Sequence, residues 1–149
     1  MSRLNGFFTL RTPADLLEKL EVDFNRLKAA SQDSKEAQYA ALDFFVCAEH
    51  IPDWMKHNNG DSLSAYRTYP EGPIVSHIAN GAKHFRVDDP RHTTVKDTLI
   101  DPGAFQENAF QPEAFHTAHL VVELESGGVE SAIDLASRVL EYWRTQLRG

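Results

Sequence analysis

Cysteine is almost missing from this chain. Cys47 stands alone among 149 residues, so neither an internal disulfide nor a cysteine-rich zinc site can form. No apolar run approaches the ~18 residues that a membrane span needs. Positive charge is also short: 15 basic against 22 acidic residues leave a formal charge of −7. That balance excludes a broad electrostatic grip on DNA or RNA, which needs a basic footprint, although a small local site stays open. The Gly-rich phosphate loop, the Gly-x-Ser-x-Gly elbow and the His-Glu-x-x-His helix are absent as well. The opening "MSRLNGFFTLRTPADLL" has no uninterrupted apolar stretch followed by small cleavage-site residues. No secretory leader is expected, and a cytoplasmic location is the default.

What is present fits one globular domain over residues 1–149, because 42% hydrophobic content at this length supports a sizeable core. Thr12-Pro13-Ala14-Asp15 opens a helix, with Thr12 as cap and Pro13 at the first turn. Leu16, Leu17, Leu20, Phe24 and Leu27 form its apolar stripe, and Glu18, Lys19, Asp23 and Arg26 look outward. Ser34 caps a second helix whose Ala37, Ala41, Phe44, Ala48 and Ile51 step by four and three. Leu42, Phe45 and Val46 thicken that surface and place the helix centrally. Cys47 lies within it, as a buried and inert thiol. Pro52 should kink or restart the helix, and "HNNGDS" at 57–62 ends it.

Residues 60–72 read as loop. Pro73 opens a third helix with Ile74, Ile78, Ala82 and Phe85 inward, and "DDPRH" at 88–92 closes it. Thr93–Ile100 is a strand candidate. Thr117–Glu125 is a better one, since Ala118, Leu120, Val122 and Leu124 alternate with its other residues. Gly127-Gly128 turns the chain into a last helix carrying Ile133, Ala136, Val139, Leu140, Trp143 and Leu147 on one face. The expectation is a mostly helical α+β fold of order α-α-α-β-β-α, a helical bundle with a two-stranded β ribbon. Between the strands "GAFQENAFQPEAF" repeats Ala-Phe at 104–105, 109–110 and 114–115, as a loop pinned by its phenylalanines or as an arm that docks on a partner.

Chemistry concentrates in "HIANGAKHF", His77 to Phe85. On a helical wheel His77, Asn80 and His84 form a polar stripe beside the apolar face, with Lys83 further round. On the second helix Asp43, His50 and His57 recur at sevens, Trp54 lies beside them, and Asp53 joins if Pro52 only kinks the helix. Packed side by side, the two helices would converge Asp43, His50, His77, Asn80 and His84 on one pocket. Asn80 and His84 are the candidate catalytic pair; His77, His50, Asp43, Lys83, Asp53 and Trp54 are candidate ligand contacts.

Three readings of the stripe compete. It can be structural, satisfying buried polar groups, with Gly81 letting another helix approach closely. It can hold a metal through His50, His77, His84 and Asp43, since imidazole suits zinc, nickel or iron. His116-x-x-His119 adds a further pair, but on a strand its side chains point to opposite faces. No cofactor is implied by any motif.

The third reading is nucleolytic. "NGAKH", Asn80 to His84, resembles the motif of the HEPN superfamily, small helical bundles many of which are metal-independent ribonucleases. The resemblance implies His84 as general acid or base and Asn80 as the group orienting phosphate, with RNA as substrate. The family's arginine is replaced by Ala79, so Lys83 or Arg86 would have to supply the cation. A wider resemblance, over residues 10 to 147, joins "ALDFFVCAEHIPDW" and "IANGAKHF" to a group of short bacterial proteins with a His-x-x-Asp-Trp helix and an Ile-Ala-Asn-Gly-x-Lys-His helix. It implies the element order and no activity; Pro52 departs from the bulky residue usual there. The competing non-catalytic expectation is a self-associating protein using its Phe-rich loop, with a homodimer as the assembly.

Overall fold

The computed structural model describes residues 4–58, 68–101 and 118–148; the Ala-Phe repeat, His116 and Thr117 lie outside them. The first three helices are α1 (Pro13–Ala29), α2 (Lys35–Asn58) and α3 (Gly72–His84). An antiparallel sheet follows, of β1 (Val95–Asp101), β2 (His119–Leu124) and β3 (Val129–Ser131), and then α4 (Ala132–Arg148). The fold is mostly helical α+β, as expected. The ribbon has three strands rather than two, in the order β1-β2-β3.

The start of α1 follows the sequence signal. Thr12 Oγ1 accepts the Asp15 N–H at 3.2 Å, and the Asp15 carboxylate accepts the Thr12 N–H at 2.9 Å, a reciprocal cap. Those backbone donors, from Arg11 and Thr12, hold the Asp15 carboxyl below its ordinary value. Ser34 caps α2 through its Oγ, which accepts from the Ala37 N–H at 3.1 Å. Pro52 neither ends nor restarts α2. It sits buried inside one continuous helix, at the cost of the hydrogen bond that the Ala48 carbonyl would otherwise receive. Continuity keeps Asp53 and Trp54 in helical phase with His50.

Helix α2 is the centre of the molecule, contacting α1, α3 and α4. Phe44, Ala48 and Ile51 are fully buried beside Leu17, Leu20 and Leu27 of α1, and Leu135, Val139, Leu140 and Trp143 of α4 join the same core. Trp143 donates its indole N–H to the Tyr69 hydroxyl at 3.2 Å, and Tyr69 stacks on Tyr142 with centroids 4.4 Å apart. The buried polar tip is therefore satisfied inside an aromatic cluster.

Four expectations need correction. Asp23 is buried, not outward: Lys19 at 2.6 Å and Arg26 at 2.9 Å clamp its carboxylate, and Arg26 also reaches Asp43 at 2.9 Å. The inward face of α3 is set by Gly72, Val75 and Ala79, whereas Ala82 and Phe85 are exposed. Small side chains at 75 and 79 let α2 approach there. Phe85 leaves helical phase with φ 63° and is 97% exposed. Gly127-Gly128 forms a hairpin turn, Gly127 having φ 97°, and feeds β3 before α4 starts. Val121 pairs with Leu99 on one side and Ser131 on the other. Leu120, Val121 and Val122 of the central strand β2 are all buried, so both of its faces are covered here and the expected alternation is lost.

Candidate functional site

A cleft of about 1400 Å³ runs along α2 and α3 and is also lined by Phe7 and Leu10 and by Leu16 and Lys19 of α1. On α2 its wall spans Leu42 to Trp54, and from Asp43 to Trp54 the helix rises about 16 Å. Seven of the eight candidate residues line it: Asp43, His50, Asp53 and Trp54 from α2, Asn80, Lys83 and His84 from α3. His50, Lys83 and His84 are exposed, and Asn80 and Trp54 are half-buried. On α3 the four-residue spacing stacks Asn80 and His84 on neighbouring turns. The cleft is open to solvent and reaches His84.

His77 is the exception. Its Nδ1 accepts the backbone N–H of Val95 at 3.0 Å and lies 3.4 Å from the Thr94 hydroxyl. It is a joint between α3 and the sheet, not a cleft contact. Burial, and secondarily the neighbouring His92 with ring centroids 5.5 Å away, hold its imidazole below its ordinary value. The neutral ring is the form that accepts this bond.

The metal reading finds no geometry. Among the described residues no three His, Cys, Asp or Glu side chains come together to hold an ion, and His77 is turned away from His50, His84 and Asp43. Gly81 does not serve close helix approach either: a Cβ there would meet only Val87 Cγ2, at an ordinary 3.5 Å.

The wall is locally balanced in charge. Lys19 is tied to Asp23 and Arg91 to Asp89 at 2.7 Å. The Arg91 guanidinium drops the Asp89 carboxyl to about 2. Lys83 is the wall's lysine without a carboxylate partner among the described residues. Arg86, the other proposed cation, pairs with Asp88 at 3.0 Å and is not in the wall. Ala79, at the arginine position of the HEPN motif, is buried, so an arginine there would have to displace core.

The sequence reading missed Glu49 and Ser76. The Ser76 hydroxyl lies 2.8 Å from both Glu49 carboxylate oxygens, joining α3 to α2 inside the cleft. Glu49 is half-buried and pairs with no cation among the described residues. Burial raises its carboxyl above the ordinary value, Ser76 opposing and Asp53 adding to the effect. A carboxylate in the otherwise apolar run "FFVCAEHI" was the available signal. Cys47, also in the wall, is buried and its thiol is pushed up to about 12, which leaves it protonated and inert at neutral pH.

Comparison of the chain with protein-family models, curated proteins and solved structures gives no match.

Proposed function

We propose that the cleft between α2 and α3 binds single-stranded RNA and cleaves it without a metal ion. The observation that carries this reading is that Asn80, Lys83 and His84 open together on one elongated cleft. Its volume exceeds the roughly 300–1,000 Å³ of pockets built for a single small molecule, which favours a chain-like ligand. Trp54, half-buried in the wall, offers a ring face on which a base can stack. Lys83, unpaired among the described residues, can meet a phosphate despite the negative charge of the whole chain.

In the proposed step neutral His84 takes the proton of a ribose 2′-hydroxyl. The 2′-oxygen attacks the adjacent phosphorus, and the 5′-oxygen leaves with a proton from solvent, giving a 2′,3′-cyclic phosphate. Lys83 offsets charge developing on the phosphate, and the Asn80 amide donates to a non-bridging oxygen. The reading extends the resemblance to HEPN ribonucleases, with Lys83 in place of the missing arginine, and it goes with a cytoplasmic location. Purified protein and its His84→Ala variant, incubated with mixed-sequence RNA in EDTA, test it. Cleavage by the wild type alone is expected; no cleavage, or equal cleavage by a folded variant, overturns it.

A second reading, self-association into a homodimer, draws on a smaller groove of about 310 Å³ between α2 and the sheet. Leu42 and Ile100, both exposed, border it. Sedimentation of the wild type and of Leu42→Asp tests that reading. A dimer that the substitution breaks supports it, and a monomeric wild type rejects it.

A further inference from the structure

Glu49 differs from Asp15, whose half-buried carboxylate takes two backbone N–H groups, from Arg11 and Thr12, and from the carboxylates that cations hold. Asp23 is held by Lys19 and Arg26, Glu21 by Arg144 and Arg148, and Glu71 by Arg138. Among the described residues Glu49 has only the neutral Ser76 hydroxyl, although an ionised carboxylate offers about four acceptor sites. It lines the open cleft, so its spare acceptors are available to a ligand. A partly buried carboxylate without a cation is costly unless something donates to it.

Distance decides what role that leaves. Ser76 fixes Glu49 beside the second turn of α3, and His84 follows eight residues later, about 12 Å along the helix axis at 1.5 Å per residue. A proton-transfer partner of His84 would need to lie within roughly 3 Å of the reacting atoms, so Glu49 is not its acid–base complement. The same separation corresponds to about three or four stacked nucleotides at roughly 3.4 Å each. A strand with a phosphate at His84 would bring a base to Glu49.

We propose that Glu49, held by Ser76, is the base-reading residue of the cleft and accepts a hydrogen bond from the exocyclic amino group of a base. This rests on the reading of the cleft as an RNA site. Cytosine offers such a donor, whereas uracil presents an acceptor carbonyl at the same position, so the carboxylate attracts one and repels the other. Trp54, one helical turn beyond His50, supplies stacking without discrimination.

Equilibrium binding of short 2′-O-methyl oligo-C and oligo-U, which lack the attacking 2′-hydroxyl and cannot be cleaved, tests the assignment by fluorescence anisotropy in EDTA near neutral pH. The wild type is expected to bind oligo-C about tenfold more tightly than oligo-U. Glu49→Gln adds a donor to the acceptor and should bring that ratio close to one, with total affinity for oligo-U rising. Ser76→Ala, which keeps the carboxylate but frees it to rotate, should reduce the preference without removing it. Binding of both RNAs with no preference in the wild type, or a preference unchanged in folded Glu49→Gln, overturns the role of Glu49 and leaves the RNA cleft standing. Absence of binding to either RNA overturns both.

Discussion

His77 Nδ1 accepts the backbone N–H of Val95 at 3.0 Å, and this bond pins the middle of α3 to the first residue of β1. Removing the ring in His77→Ala leaves a half-buried amide without its acceptor, a loss of about 1 kcal/mol. The bond also sets a pH dependence. The folded pKa of His77 is depressed from 6.5, so the unfolded chain binds the proton first as pH falls. The stabilisation is complete above the ordinary histidine value and is lost as pH falls through the lower folded value. Thermal unfolding midpoints measured from mildly alkaline to mildly acidic buffer should drop for the wild type and vary less for His77→Ala.

Glu49 carries the opposite sign. Its folded pKa is raised from 4.5, chiefly by burial, so the folded chain holds the proton more tightly than the unfolded chain. The favourable contribution is present below the ordinary value and is lost as pH rises through the folded one. Above the ordinary glutamate range this carboxyl therefore opposes folding. Glu49→Gln, whose amide oxygen can still accept from Ser76, should unfold at a higher temperature than the wild type near neutrality. The gap should close as the buffer is acidified below the glutamate range. A variant less stable at neutral pH would show that burial does not dominate at this carboxyl.

Gly81 lies inside α3 with, among the described residues, only Val87 within reach of an added methyl group. Its backbone is helical and it is not among the positive-φ glycines. Gly81→Ala should stabilise the fold by about 0.5–1 kcal/mol through helix propensity. Chemical denaturation measures this directly, and a destabilised variant would mean that the glycine serves a close contact after all.

The Trp143 indole N–H donates to the Tyr69 hydroxyl in a buried setting. Tyr69→Phe keeps the ring stack on Tyr142 and strips the acceptor, which should cost about 1–3 kcal/mol. In a double-mutant cycle with Trp143→Phe, the second change should cost less when the hydroxyl is already gone.

The helices were legible because each announces itself locally: Thr12 and Ser34 as caps, Pro13 and Pro73 in first turns, and Leu16, Leu20 and Leu27 on one stripe. Their tertiary phase was not. Val75 and Ala79 are buried positions of α3 while Ile74 and Ile78 pack at the core's edge, because small side chains fit where two helices come near and a wheel weighs large residues instead. Strand β3 was hidden because three residues after a diglycine carry no period of their own; pairing with β2 makes them a strand. Asp23 was read as outward because its burial depends on cations three and four positions away.

Most of the site followed from stripes on two helices, since Asp43, His50, Asp53, Trp54, Asn80, Lys83 and His84 share one cleft. His77 departed from its stripe because β1 supplies a backbone donor at that level, a partner distant in sequence. Glu49 escaped notice for the related reason that its partner, Ser76, lies on another helix.

The most direct test of the cleft as the RNA site is an amide chemical-shift titration of isotope-labelled protein with short, uncleavable 2′-O-methyl oligo-C in EDTA. Perturbations confined to Glu49–Trp54, Ser76–His84 and the neighbouring Arg91 and His92 are expected. Perturbations centred on the smaller groove at Thr98, Leu99 and Ile100, or none at all, would contradict the assignment.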